Sequence, residues 1–364
     1  MNAAFNLDQL LRENIRDLKP YSSARDEYQG EASVYLDANE NAFGAPVSFS
    51  DLNVEHAAHH WAFHRYPDPL QHELKERISR IKGVPPKHIF LGNGSDEAID
   101  LLFRAFCNPG KDNVVVLPPT YGMYEVSAHI NDVEVRKVPL NPSFQLDLDG
   151  IAEAIDDNTK LIFICSPNNP TGNSIYREDI ETLLVNFKGI VVVDEAYINY
   201  AKQKTFIQEL TEYANLIVLQ TFSKDWGMAG LRLGMAFSSQ PVIEVLNKIK
   251  PPYNINQATQ LLALQALDQI HQVNYWIRQT VSERQRLVDS LNELEIVIRI
   301  YPSDANFLLV RTRDAKNIYQ YLVSKGIIVR DRSNVLLCED CLRITVGTPA
   351  ENDELMAQLK EFEL

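Results

Sequence analysis

The chain has 364 residues, 45% of them hydrophobic, and its 49 acidic and 35 basic side chains give a net charge of −14. At about 100–200 residues per domain that length suggests two domains, and the composition is that of an ordinary soluble protein with a sizeable core. The acidic balance excludes a nucleic-acid partner, whose phosphates need a basic surface, but not a small anion met by a few arginines inside a cleft.

In chain order, the first twenty residues alternate charges with Leu7, Leu10, Leu11, Ile15 and Leu18. That pattern reads as a short amphipathic helix and not as a signal peptide. No apolar run nears the ~20 residues needed to span a bilayer, so a cytoplasmic protein with no membrane partner is expected. HAAHHWAFH gathers His56, His59, His60 and His64 but contains no acidic residue, and HExxH is absent. A solvated segment is expected there, and no metal.

From about residue 70, helical and strand patterns alternate. Leu70, Leu74, Ile78 and Ile81 share a helical face that Gly83 ends. VVVL (114–117), LIFIC (161–165), IVVVD (190–194) and LIVLQ (216–220) read as buried strands, with helices such as REDIETLLVNF between them. Continuous apolar strands alternating with helices predict an α/β fold, a mostly parallel sheet flanked by helices. After Pro251-Pro252 comes a helical stretch over about 256–293, then IVIRI, ANFLLV, a helix, GIIVR and CLRITV, the pattern of a smaller α+β domain. The expected division is an N-terminal arm (1–35), a large domain (36–252) and a small C-terminal domain (253–364), with a tight cleft between the two domains. Cys338 and Cys341 form a CxxC without a second pair, so the four cysteines are expected to be reduced.

Ligands of open parallel sheets sit beyond the carboxyl ends of the strands, and four sequence islands fall at such ends. In LGNGSDEAIDLLFRAF, Gly92 and Gly94 run into a helix beginning near Ser95-Asp96. This is either a phosphate cradle at a helix N-terminus or a glycine turn with a polar cap. Glu97 stands where a dinucleotide fingerprint needs its third glycine. In SPNNPTGNS, Asn169 precedes a rigid Pro170-Thr171-Gly172 turn that could aim its amide at a ligand. IVVVDEAY ends a buried strand on Asp194, with Tyr197 three residues on. A carboxylate there needs a cationic partner, or else its pKa rises, and no phosphate-binding G-x-x-x-x-G-K-[ST] exists to make it part of an ATPase. In LQTFSKDWGMAGLRLGMAF, Lys224 follows an apolar strand, where desolvation would lower its pKa for Schiff-base chemistry. Arg232 can offer a bidentate fork to a phosphate. Together these are the parts needed to hold pyridoxal phosphate: an anion cradle, an acid for the ring nitrogen, a phenol for the ring oxygen and an amine for the aldehyde.

On these motifs, and on LKPYSSAR (18–25), LDANENAFG (36–44), RYPDP (65–69), PPTYGMY (118–124), GIIVR (326–330) and LRITVGT (342–348), the chain resembles the fold type I aminotransferases. Within them it resembles the histidinol-phosphate aminotransferase family, nearly end to end. The resemblance implies pyridoxal 5'-phosphate as cofactor. Lys224 would carry it and then move the proton, Asp194 would pair with its ring nitrogen, and Tyr197 and Asn169 would contact its ring oxygen. Ser95, Asp96, Ser223 and Arg232 would hold its phosphate, and Tyr121 would stack on the ring. Tyr66 would reach the neighbouring subunit's cofactor, making a homodimer with shared active sites. Tyr21, Asn39, Arg330 and Arg343 would form the substrate pocket.

The implied reaction exchanges an amino group between histidinol phosphate and 2-oxoglutarate in histidine biosynthesis. Its rivals are an aromatic-amino-acid aminotransferase, a threonine-phosphate decarboxylase and, from a different class, a cofactor-binding regulator without turnover. The chain departs from the family pattern at Ala42, where proline is usual, and at Asp225-Trp226, where alanine and phenylalanine are common. Both bear on neighbours of the pocket.

Overall fold

The structure, a computed structural model, describes residues 6–8, 10–28, 30–47 and 63–362. Strand β1 (Val34–Tyr35) comes first. The next seven, β2 (Ile89–Asn93), β3 (Asn113–Val116), β4 (Glu134–Lys137), β5 (Thr159–Cys165), β6 (Ile190–Asp194), β7 (Leu216–Thr221) and β8 (Leu233–Ser238), form one sheet in the order β2-β8-β7-β6-β5-β3-β4. The pairs from β7 to β4 are parallel, whereas β8 runs antiparallel to both β7 and β2. The expected mostly parallel sheet is therefore present, with one reversed strand.

Both faces of this sheet are buried, which is why its strands read as unbroken apolar runs. Val115, Ile162, Val191, Val193 and Val218 pack into one core, while Val114, Val116, Phe163, Val192 and Leu219 pack into the other, the period-2 split of a pleated strand. The helix Ser95–Phe106 covers the second face through Ala98, Ile99 and Leu102, and Arg177–Asn186 covers the first through Ile180, Leu183 and Leu184. The helix predicted from residue 70 spans His72–Lys82 and ends at Gly83 in the left-handed conformation (φ 73°).

The C-terminal part holds β9 (Val297–Ile300), β10 (Phe307–Thr312), β11 (Ile327–Ile328), β12 (Arg330–Asp331) and β13 (Cys341–Thr345). An antiparallel sheet runs β12-β13-β10-β9, and β11 pairs in parallel with β1. The helical stretch expected over about 256–293 is two helices, Gln257–Asp268 and Ile270–Leu291. Cys107, Cys165, Cys338 and Cys341 are all buried thiols outside any disulfide.

The amphipathic helix expected over the first twenty residues is not found: among the described residues of that stretch only Glu13–Arg16 is helical. Leu7 and Leu10 are exposed. Instead Asn14 Nδ2 and Arg12 Nη2 donate to the carbonyls of His129 and Ile130 (2.7 and 2.8 Å), closing the end of the helix Met123–Ile130. One helical turn cannot propagate against the nucleation cost, and Pro20 disfavours helix at Lys19. His56, His59 and His60 lie outside the described residues, and His64 is exposed. No helix among the described residues is long and apolar enough to cross a membrane.

Candidate active site

The register of the large sheet aligns Cys165 with Asp194 and Asp194 with Leu219, so the carboxyl ends of β5, β6 and β7 open together. A cavity of about 330 Å³ lies there, and the C-terminal sheet contributes Arg330 and Arg343 to its wall. Thirteen of the fourteen residues that the sequence singles out line it. The exception is Tyr66, which stands on the surface, 80% exposed, stacked on Tyr253 at 4.3 Å between ring centroids.

Asp194 closes β6 and is buried. Its two oxygens accept from the Tyr124 hydroxyl (2.7 Å) and the Ala196 N–H (3.1 Å). Burial nevertheless outweighs these bonds and lifts its pKa from 3.8 to about 6. The same burial, helped by Arg343, lowers Lys224 from 10.5 to about 8. Lys224 Nζ donates to the Ala38 carbonyl (3.0 Å) and lies 5.7 Å from the centre of the Tyr197 ring. The hydroxyl of Tyr197 accepts from Asn39 Nδ2 (3.0 Å), which aims its own proton elsewhere, and burial holds its pKa above the usual phenol range. Asn39, at φ 54°, is itself fixed by Thr345 (3.1 Å from its backbone N–H to Oγ1).

A second group gathers where β2 ends. Gly94 turns at φ 77° into the helix Ser95–Phe106, and Arg232, also left-handed at φ 54°, lays its guanidinium over that turn. A Cβ at Gly94 would stand 2.5 Å from Arg232 Nη2, and at φ 77° the backbone is one that glycine adopts without strain. Asp96 accepts from Arg232 (3.3 Å) and from the Tyr121 hydroxyl (3.0 Å). Ser223 is held through Thr221, whose Oγ1 accepts from the Ser223 N–H (3.0 Å) and donates to its Oγ (3.0 Å). An uncapped helix start, two serines and an arginine make an anion site.

A third group lies across the cavity. Arg343 donates to Asn169 Oδ1 (2.7 Å) and to the Asp37 carbonyl, while Arg330 donates to the Ser22 carbonyl (3.2 Å) and pairs with Glu27 (2.6 Å). Tyr21 meets the Tyr121 ring edge-on at 5.9 Å. Tyr124, Thr221 and Arg332 were missed in the sequence reading. Tyr124 follows Tyr121 by three residues in PPTYGMY and Arg332 follows Arg330 by two in VRDR, so helical and strand periodicity respectively could have flagged both. Asp225 and Trp226 lie behind the lysine: Asp225 accepts from Asn199 (2.6 Å) and Trp226 stacks on Phe222 (5.1 Å), so neither lines the cavity.

A family model for aminotransferase class I and II matches residues 32–359. A histidinol-phosphate aminotransferase from Cytophaga hutchinsonii is 53% identical over 359 residues, covering 99% of this chain and 100% of the relative. One from Bacteroides thetaiotaomicron is 52% identical over 358 residues, covering 98% and 99%. Among solved structures, the histidinol-phosphate aminotransferase from Sinorhizobium meliloti in complex with pyridoxal-5'-phosphate superposes with a TM-score of 0.86 at 24% identity, over 99% of this chain and 98% of that one, which establishes the shared fold. With such matches over nearly its whole length, the chain belongs to the class I and II aminotransferase family.

Proposed function

We propose that this chain is a pyridoxal-phosphate-dependent aminotransferase that exchanges an amino group between histidinol phosphate and 2-oxoglutarate in histidine biosynthesis. One observation carries the reading: a single cavity contains a desolvated lysine and two separate arginine-lined anion sites. One phosphate belongs to a cofactor and the other to a substrate.

The residues present fit the cofactor. Asp194 is a buried carboxyl with a raised pKa, relieved by a cationic ring nitrogen. The left-handed Gly94 turn leads into an uncapped helix start beside Arg232, a cradle for a phosphate. Ser95, Asp96, Ser223 and Arg232 would hold that phosphate and Tyr121 would cover the ring. Tyr197 and Asn169 would meet the ring oxygen, since Arg343 takes the Asn169 carbonyl and leaves its NH2 group to donate. When bound, the cofactor supplies an aldehyde that accepts the amino group and a ring that accepts electrons.

The chain supplies the rest. Lys224 Nζ, close to neutrality near pH 8, moves the proton at the reacting carbon of the substrate. Asn39 fixes the Tyr197 hydroxyl through their 3.0 Å bond. Arg343 binds the glutamate carboxylate and, with Arg330 and Tyr21, the substrate phosphate. Tyr66, exposed in one chain, reaches the cofactor phosphate of a neighbouring subunit, so the working unit is a homodimer in the cytoplasm, divided within each chain at about residues 35 and 252.

A substrate panel scored by kcat/KM tests the function. Histidinol phosphate should lead. Preference for phenylalanine would make the protein an aromatic aminotransferase, and carbon dioxide release from threonine phosphate would make it a decarboxylase.

A further inference from the structure

Arg330 on β12 stands directly opposite Arg343 on β13. Like charges facing each other across two strands destabilise a sheet. Arg332, two residues beyond Arg330 and therefore on the same strand face, adds a third guanidinium to the cavity wall. Burial, Arg343 and Arg330 all press its pKa down, yet a guanidinium keeps its proton. The strain is relieved instead by an anion. The anion in place is the carboxylate of Glu27, with Oε1 at 2.6 Å from Arg330 Nη2 and 3.8 Å from Arg332 Nη1. It does not use up the donors: Arg330 Nε and Nη1 and Arg343 Nε are buried with no hydrogen-bond partner. Asp26 and the buried Asp37 add negative charge beside Arg330 and Arg343, yet the spare N–H donors remain for an anion with several oxygens.

We propose that Arg332 is a third contact to the substrate phosphate, and that Glu27 competes with that phosphate for Arg330 and Arg332 until the substrate displaces it. This rests on the histidinol-phosphate reading above. Glu27 ends the short helix Ala24–Glu27, which begins three residues after Tyr21, so displacing it bears on the segment that carries Tyr21. The exchange discriminates by charge. A dianion entering the site engages all three guanidiniums and their spare N–H groups, whereas a lone carboxylate only replaces another carboxylate. Glu27 thus weakens every anion at the site and weakens monoanions enough to matter most.

The test uses the holoenzyme, with inorganic phosphate as a competitive probe beside steady-state kinetics on histidinol phosphate. Glu27→Gln should lower both the inhibition constant of phosphate and the KM of histidinol phosphate about five- to tenfold, and kcat should move much less. Glu27→Asp, which keeps the charge, should return both toward the wild-type values, a rescue that a merely structural role for Glu27 would not show. Arg332→Gln should raise both constants about tenfold, the scale of one lost charge-assisted contact. Cofactor absorbance reports that each variant is folded, and Arg332→Lys is the milder substitute where Arg332→Gln is not. An unchanged or raised phosphate constant in Glu27→Gln overturns the displacement. An unchanged one in Arg332→Gln overturns the third contact. If the wild type turned over no histidinol phosphate while phosphate still bound and Glu27→Gln still tightened it, the reaction assignment would fail and this inference would stand.

Discussion

Replacing Asp194 with asparagine should make the cofactor-free protein more stable and the loaded enzyme much slower. Asp194 is 3% exposed, and its pKa stands at about 6 against an ordinary 3.8. A carboxyl whose folded value lies above its unfolded value holds its proton more tightly in the folded state. Its contribution therefore favours folding in full below pH 3.8 and is lost as pH rises through about 6. At about 1.36 kcal/mol per pH unit, keeping Asp194 ionised at pH 7 costs about 3 kcal/mol. Asparagine avoids that cost and can keep both bonds, because its oxygen accepts from the Ala196 N–H and its NH2 donates to a rotated Tyr124 hydroxyl. Urea unfolding of cofactor-stripped protein should show Asp194→Asn more stable than wild type by about 1–3 kcal/mol at pH 7, and the gap should close as pH falls toward 4. The loaded enzyme should lose about 10²–10³ in kcat with little change in KM, the scale of a missing preorganised charge. If the gap is absent at pH 7, or equally large at pH 4, burial is not what lifts this carboxyl, and a change confined to KM would make Asp194 a binding residue only.

Lys224→Ala should lose turnover by several orders of magnitude while still binding cofactor weakly, since it removes both the covalent partner and the proton carrier; near-normal transamination would remove the central assignment. Arg330→Ala should lower kcat/KM for histidinol phosphate roughly ten- to hundredfold and that for phenylalanine far less, whereas Arg343→Ala should damage histidinol phosphate and glutamate alike. Equal losses on both substrates in Arg330→Ala would contradict a phosphate contact. Once Tyr66→Ala alone is shown to be impaired, mixing it with Lys224→Ala under subunit exchange should regenerate one intact site per heterodimer, and no recovery despite proven exchange would mean that Tyr66 serves its own subunit.

The central strands were legible because they are buried on both faces, so VVVL, LIFIC, IVVVD and LIVLQ carry their apolar character without interruption. Asp194, Lys224 and Asn169 could be singled out for a related reason: they are polar residues at or just beyond the ends of such runs, and the structure brings them to one cavity. The reversed direction of β8 was not legible, because LRLGMAF is equally apolar in a parallel or an antiparallel strand and only its register with β2 and β7 shows the difference. Tyr124 looked like one more aromatic residue of a helix, and nothing local ties it to Asp194, 70 residues away. Glu27 was hidden for the same reason, its partner Arg330 being brought to it by tertiary folding alone. The N-terminal leucines misled in the opposite sense: their spacing fits a helix, but the arm spends its polar side chains closing another helix.

The position of β2 ties the cofactor site to the timing of protein synthesis. Among the described residues its neighbour within the large sheet is β8, and the proposed cradle joins Gly94, just after β2, to Arg232, just before β8, through a 2.9 Å bond from the Gly94 N–H to the Arg232 carbonyl. Asp96 and Arg232 are 136 residues apart. At about 5–20 residues per second, a ribosome takes roughly 7–27 s to make that interval. Throughout it the nascent chain has β2 without its sheet neighbour and a helix start without its arginine. If the cradle holds the cofactor phosphate as proposed, a chain that ends short of Arg232 and β8 lacks the arginine that would meet it.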